Sequence, residues 1–340
     1  MSTEKRIRVL VVDDSMLFRT VLSKGLSSDS NIDVVATAGD PFEARDKIIQ
    51  YQPDVMTCDV EMPKMNGIEF IRRLLPQYHL PVVVVSGVSG IVFDAMDTGA
   101  VDFVAKPDMS SVNSVENFIK EIIEKVKIAS KAKVLCEQKE SKTGKITGKV
   151  NSAKKIIAIG ASTGGTDAIY KIINALPEDA PGIVIVQHIP PVFSRMFAER
   201  LNDTTRLHVK EAESGDLVEP GKVLIAPGNQ HMKIVKINNK YKVYCYEGEK
   251  VNRHCPSVDV LFESVAKEAG ANAIGVILTG MGYDGAKGLL AMRMKGARTI
   301  GQDEKSSVVY GMPKIAFNIG AVENQTSLNN IAQLIYKMLR

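Results

Sequence analysis

The strongest constraint on the fold of this chain is an alternation that occurs twice. Short apolar runs recur, and each leads into a stretch with helical periodicity. Across residues 1–128 the runs are Val9–Val12, Val34–Ala36, Val55–Thr57, Val82–Val85 and Phe103–Ala105. Helical patterns follow the first four, and Val115–Ile128 follows the fifth. Such runs read as strands buried on both faces of a parallel sheet covered by helices, here as five βα units. From Lys154 a second series begins. Strands are expected at Ile156–Ile159, Ile183–Val186, Val223–Ala226 and Ile274–Leu278, with helices at Thr166–Leu176, Val192–Leu201, Val258–Ala269 and Gly285–Lys295. Met232–Val235 and Lys242–Tyr246 flank Asn238 and Asn239, the pattern of a hairpin. The halves share an architecture, mainly parallel α/β, but no motif.

Residues 129–152 break the alternation. They are rich in Lys, Ser, Thr and Gly and read as a flexible, exposed linker. The expected organisation is therefore one domain over 6–128, a linker over 129–152 and a second domain over 153–340. Lys125 to Lys155 holds ten Lys and two Glu, a local net of +8. The whole chain carries only +4, so the remainder sums to −4. A lysine-rich polar connector reads as a solvated segment, and no nucleic-acid partner is expected.

With 340 residues and 45% apolar content, the chain can build two buried cores. Cys58, Cys136, Cys245 and Cys255 show no CxxC spacing, and with five His there is no zinc pattern. Reduced thiols in a cytoplasmic protein are expected. MSTEKRIRVLVVDD turns acidic before a signal-peptide apolar core could form, and no run of about 18 apolar residues suggests membrane insertion.

In the first half, three carboxylates sit at strand ends: Asp13 and Asp14 after the first strand, Asp59 after the third. In a sheet of order 2-1-3-4-5 these strands are neighbours, and their carboxyl ends share the edge where such folds place their sites. Clustered carboxylates repel unless a hard cation neutralises them. Mg²⁺ suits an oxygen-only site that also holds a phosphate. Ser86 ends the fourth strand and Lys106 the fifth, where a hydroxyl and an ammonium can bind phosphoryl oxygens on Asp59.

Residues 6–125 resemble a response-regulator receiver domain, a flavodoxin-like (βα)5 fold. The resemblance rests on VVDDS, on CDVEMPKMNG with Pro63 and Gly67, and on SG and AKP. It implies phosphoryl transfer from a histidine kinase to Asp59. It further implies Mg²⁺ held by Asp13, Asp14, Asp59 and the backbone carbonyl of Glu61. Ser86 and Lys106 would be switch residues, and Phe103 the aromatic whose rotation reports the switch.

In the second half, IAIGASTGGTDAIY raises a choice between a phosphate cradle and a nucleophile. It lacks the middle glycine of GxGxxG, and it lacks the GK[ST] ending of a phosphate-binding loop. Gly160 to Gly164 does satisfy GxSxG, which sets Ser162 on a strand-to-helix turn. A plain turn with a helix-capping residue satisfies the same string. A nucleophilic serine needs a base and an orienter. His188 ends the next strand, in IVIVQHIPP, and Asp284 follows a later one, in VILTGMGYDGAKG. The other histidines suit the role less: His79 lies in the first half, His208 opens a short strand, and His231 and His254 read as polar lining of a cleft.

Residues 154–338 resemble the catalytic domain of the chemotaxis protein-glutamate methylesterase family, CheB. IGASTGGTDAI, VIVQHIP, APGNQHM, RHCPSVDVLF and LTGMGYDGAKGL carry the resemblance. It implies a doubly wound hydrolase that acts on γ-glutamyl methyl esters of chemoreceptors and deamidates particular receptor glutamines. Ser162, His188 and Asp284 would be its triad, with the backbone N–H groups of Thr163 and Met281 as the oxyanion hole. No cofactor is expected in this half. The unphosphorylated receiver is expected to restrict access to the cleft. Two competing readings are a receiver with a DNA-binding output and a hydrolase-fold adaptor without turnover. The number of strands in the second half speaks against the first. The intact Ser162, His188 and Asp284 speak against the second.

Overall fold

Two separate parallel sheets organise the chain, and each is described by itself. The computed structural model describes residues 5–63, 65–87, 91–133 and 155–339. Most of the expected linker, with Cys136, lies outside the described residues.

The first unit runs β1 (Ile7–Val12), α1 (Met16–Ser27), β2 (Ile32–Ala38), α2 (Pro41–Tyr51), β3 (Val55–Asp59), α3 (Gly67–Leu74), β4 (Val82–Ser86), α4 (Ile91–Asp97), β5 (Asp102–Ala105) and α5 (Val112–Ala129). The sheet order is β2-β1-β3-β4-β5, all parallel, as expected for the flavodoxin-like receiver fold. The sequence sets the helix starts. Ser15 caps α1, Asp40 caps α2 ahead of Pro41, and Asn66 caps α3, each accepting from first-turn N–H groups. β3 and β4 are buried along their whole length. The chain leaves β1 toward β2 on one side and returns to β3 on the other, so the sheet's switch point lies between β1 and β3.

The second unit runs β6 (Ile156–Ala161), α6 (Gly165–Ala175), β7 (Gly182–Gln187), α7 (Pro191–Thr204), β8 (His208–Glu211), β9 (Lys222–Ile225), β10 (His231–Ile237), β11 (Lys240–Tyr246), α8 (Val258–Glu268), β12 (Ala273–Ile277), α9 (Ala286–Met294), β13 (Arg298–Gln302), α10 (Met312–Asn318), β14 (Asn324–Thr326) and α11 (Leu328–Leu339). Seven parallel strands form one sheet of order β14-β13-β12-β6-β7-β9-β8. β10 and β11 form the expected hairpin, with Asn238 and Asn239 at φ 49° and 63°, as a primed two-residue turn requires.

Here too there is a switch point. From β6 the chain moves to β7, β9 and β8 on one side, then returns to β12 against the other flank of β6. α8 packs down on that centre. A Cβ added at Gly160 would lie 2.2 Å from Val258 Cγ1, so only glycine admits this approach. Phe262, Val258 and Leu261 join strand residues Ala158, Val184 and Val186 in one buried cluster.

Sequence reasoning did not identify β13, β14, α10 and α11. RTIGQ and NQT lack an apolar run, and α10 has only seven residues. In α11, Leu328, Ile331, Ala332 and Ile335 do carry a helical stripe that was open to reading.

Candidate functional site

Ser162 lies one residue past β6 and His188 one residue past β7. Ala161 pairs with Gln187, so the two side chains leave neighbouring strands in register. Backbone and side-chain hydrogen bonds fix both. His188 N donates to Ala161 O at 3.1 Å, and Ser162 N donates to Thr279 O at 3.0 Å. Gln187 Nε2 donates to Ser162 O at 2.9 Å and to His188 O at 3.3 Å. Gly164, at φ 74°, then turns the chain into α6, which completes a strand–turn–helix elbow.

Asp284 arrives on the loop after β12 and meets the start of α8. Its Oδ2 accepts from His188 Nε2 at 2.9 Å and from Val258 N at 2.7 Å. Its Oδ1 accepts from Ser257 Oγ at 2.7 Å, Asn252 Nδ2 at 2.8 Å and Asp259 N at 3.2 Å. The carboxylate thus sits on the positive end of a helix and is 2% exposed. Burial alone would raise its pKa. The hydrogen bond and charge of His188, with the bonds from Asn252 and Ser257, outweigh burial and hold it well below the usual carboxylate range.

That ionised carboxylate settles the tautomer. An acceptor-only Asp284 places a proton on Nε2 of His188, so in the neutral imidazole the lone pair is on Nδ1. Nδ1 is buried and has no hydrogen-bond partner among the described residues. The serine-protease template is wired the other way, with the carboxylate on Nδ1 and the serine on Nε2. The direction of the ring is therefore reversed here.

Thr163 follows Ser162 and is buried. Thr279 Oγ1 donates to its carbonyl at 3.0 Å and accepts from Val309 N at 2.9 Å. The loop carrying Met281 is equally close to the serine: a Cβ added at Gly280 would lie 2.6 Å from Ser162 Cβ. The structure therefore brings Ser162, Thr163, His188, Met281 and Asp284 to one end of the sheet, at its switch point.

Sequence reasoning named no role for Ser257 or Asn252, and it read His231 and His254 only as cleft lining. His231 is 2% exposed. Its Nδ1 accepts from Ser257 N at 3.2 Å, and its Nε2 lies 2.8 Å from Glu249 O. It steadies Ser257 beneath Asp284. His254 stacks on His188, with ring centroids 3.7 Å apart and planes within 6°. The available signal was proximity in sequence, since Asn252, His254 and Ser257 fall in or beside RHCPSVD.

In the first unit, Asp13, Asp14 and Asp59 each offer an oxygen within 4.8 Å of the others. Lys106 Nζ lies 2.6 Å from Asp59 Oδ2 and 2.8 Å from Asp13 Oδ2. Burial raises the Asp13 pKa, helped by the Asp59 charge and opposed by Lys106. Burial would lower Lys106, but the two carboxylates overcome it and hold the ammonium above its ordinary value. Glu61 N donates to Asp59 Oδ1 at 3.2 Å. Ser86 is buried at the end of β4, and its carbonyl accepts from Lys106 N at 2.8 Å. Phe103 is buried edge-on to Phe93, with centroids 6.1 Å apart. The donor set is oxygen-only and hard, which fits Mg²⁺. Cys58, Cys245 and Cys255 are free thiols. Burial and the nearby carboxylates push the Cys58 thiol far up, so it stays protonated beside Asp59.

The family model described as CheB methylesterase matches residues 157–335, and that of the response regulator receiver domain matches residues 9–114. The protein-glutamate methylesterase/protein-glutamine glutaminase 2 of Syntrophomonas wolfei is 59% identical over 336 residues, covering 98% of each chain. The protein-glutamate methylesterase/protein-glutamine glutaminase of Salmonella typhi is 47% identical over 333 residues, covering 96% of this chain and 95% of that one. Among solved structures, the CheB methylesterase catalytic domain of Thermotoga maritima is 38% identical at a TM-score of 0.54, covering 55% of this chain and 99% of that one. With its receiver domain ahead of its catalytic domain, the chain belongs to the CheB methylesterase family.

Proposed function

We propose that this chain is a phosphorylation-regulated serine hydrolase of chemotaxis. It demethylates γ-glutamyl methyl esters on chemoreceptors, releasing methanol, and deamidates particular receptor glutamines. The observation that carries the reading is the His188–Asp284 pair, whose remaining imidazole nitrogen is buried without a partner beside the serine elbow. An adaptor without turnover would have no need of it.

Ser162 Oγ attacks the side-chain carbonyl carbon of the ester, and His188 Nδ1 takes the hydroxyl proton. Asp284 stabilises the imidazolium that results. The oxyanion of the tetrahedral intermediate accepts from the N–H groups of Thr163 and Met281. Such a donor contributes roughly 2.7–4 kcal/mol of transition-state stabilisation. The intermediate collapses, and His188 returns the proton to the departing methanol, or to ammonia when the substrate is glutamine. Water, deprotonated by the same Nδ1, then hydrolyses the acyl-serine to glutamate.

In the receiver, Asp59 accepts the phosphoryl group of a kinase phosphohistidine: an O–P bond forms as the P–N bond breaks. Asp13, Asp14, Asp59 and the Glu61 carbonyl would hold Mg²⁺, and the ion would supply positive charge to the carboxylates and the phosphoryl group. Ser86 and Lys106 take oxygens of the new aspartyl phosphate, and Phe103 follows Ser86 inward. Among the described residues no helix is long and apolar enough to cross a membrane. The working compartment of the reading is the cytoplasm, where kinase and receptor signalling domains are reached without insertion.

The test is methanol release from methyl-labelled receptor membranes. Ser162→Ala is expected to lower kcat by about 10⁶-fold, as loss of a triad serine does elsewhere. Undiminished release would sink the triad. The regulatory half has its own test. Deleting residues 1–150 is expected to raise activity above that of the unphosphorylated full-length protein, and a fall would make the receiver chiefly an activator.

A further inference from the structure

A tight turn with no part in the bond-making steps holds both members of the His188–Asp284 pair. Val251 N donates to His254 O at 3.0 Å, and His254 N donates to Val251 O at 2.9 Å. The two residues between them, Asn252 and Arg253, sit at φ 52° and 72°. Both central residues are thus left-handed, the geometry of a primed two-residue turn. Neither is glycine. Backbone of this kind persists only where the surroundings hold it, and it gathers at functional sites.

The conformation sends two side chains to the pair. Asn252 Nδ2 donates to Asp284 Oδ1 at 2.8 Å and to Asp259 Oδ2 at 2.7 Å. Its two amide protons therefore serve two buried carboxylates at once and keep them from facing each other without a donor between. Asp259 is anchored in turn by Gly288 N at 2.6 Å. His254, at the other end of the turn, lays its ring flat on that of His188. An imidazole joined to its partner by one hydrogen bond can still swing about that bond, and a parallel ring at 3.7 Å removes the swing.

We propose that the Val251–His254 turn is a positioning strap: Asn252 fixes the Asp284 carboxylate and His254 fixes the His188 ring plane, so that Nδ1 stays aimed at the serine. Asn252 acts through Asp284, and His254 acts through the His188 ring. The inference rests on the Ser162–His188–Asp284 reading above. Rotation of the base by even a small angle misplaces its lone pair, and an error near 1 Å in such a group can cost on the order of 100-fold.

The experiment measures kcat and KM for methanol release from methylated receptor membranes with full-length protein. Four single variants are compared: Ser162→Ala, Asn252→Gly, His254→Phe and His254→Gln. Glycine keeps the left-handed turn and removes only the amide. Phenylalanine keeps a flat ring, while glutamine keeps polarity and loses the ring, so the pair separates stacking from general packing. Asn252→Gly and His254→Gln are expected to lower kcat by roughly 10- to 100-fold with KM changed less than about twofold, and His254→Phe to recover most of the loss. Wild-type kcat in both Asn252→Gly and His254→Gln, or equal impairment of the Phe and Gln variants, would overturn the strap. Either result with Ser162→Ala inactive removes the strap alone. Full activity in Ser162→Ala removes the triad reading on which it stands.

Discussion

The two halves place carboxylates at the same topological address and treat them in opposite ways. In each sheet the chain reverses its direction of growth, between β1 and β3 in one and between β6 and β12 in the other. At each reversal an aspartate follows a strand. In the receiver, Asp13 and Asp59 share one cation, the Lys106 ammonium. In the catalytic domain, Asp284 is held by fixed donors, a helix N-terminus, a hydroxyl, an amide and an imidazole, and the Asn252 amide stands between it and Asp259. The outcome is opposite in sign, with Asp13 pushed up and Asp284 held down. A carboxylate pocket with a displaceable cation can accept a metal and a phosphoryl group. A carboxylate locked by protein dipoles can only orient its partner. Fold position makes a site available at both places, and the neighbours decide its chemistry.

The largest effect that could break this contrast lies at the locked carboxylate. Asp284→Asn keeps the shape but offers an amide where His188 needs an acceptor, so kcat is expected to fall by about 10⁴-fold in the methanol-release assay. A loss below about tenfold would mean that His188 does not depend on it. Next comes the displaceable site. Asp59→Asn is expected to abolish the stimulation by phosphodonor, a factor of about 5 to 150 for typical coupling, while leaving the unstimulated rate intact. Removing Mg²⁺ with a chelator should reproduce that loss in the wild type and leave basal hydrolysis unchanged. If chelation slows basal hydrolysis too, the two sites are not chemically separate.

The smallest expected effect reads the opposite pKa shifts directly. An unfolded aspartate titrates near about 3.9. Asp284 lies below that when folded, so this group binds fewer protons in the native state than in the unfolded chain. Its contribution is present above about pH 4 and is lost as pH falls toward the folded value. Asp13 lies above 3.9 when folded, so the native receiver binds more protons there. Its contribution is largest in acid and declines as pH rises through the folded value. In hydrogen exchange on the full chain between pH 3 and 6, the protection lost in Asp284→Asn relative to wild type should therefore grow as pH rises, and that lost in Asp13→Asn should shrink. Wild-type-minus-variant differences that slope the same way would end the comparison.

Much of this was legible in the sequence because the determinants are local. Apolar runs of three to five residues marked the central strands, and strand-end residues such as Asp59, Lys106, Ser162 and His188 could be placed from those runs alone. The hairpin followed from Asn238 and Asn239. What stayed hidden depends on distance along the chain. Asn252 reaches across 32 residues to Asp284, and His231 reaches across 26 to Ser257. No periodicity announces such contacts. The reversed wiring of the His188 ring was hidden for the same reason, since it depends on how the start of α8 presents Asp284 to that ring. The edge of the sheet was missed differently: β14 is three polar residues whose strand state comes from pairing with β13 and not from propensity.

The near contact between Gly280 and Ser162 has a consequence for how such an enzyme can change. Ser162, the proposed nucleophile, and the neighbouring loop are stitched by Thr279 and leave no room for one added methyl. New substrate preferences cannot be reached by adjusting the reaction centre in small steps, because the first step already displaces the serine. Variation is pushed outward to the exposed rim, where Val192 and Tyr283 stand in solvent. Lineages of this catalyst should therefore diverge in which receptor they serve long before they diverge in what they do to it.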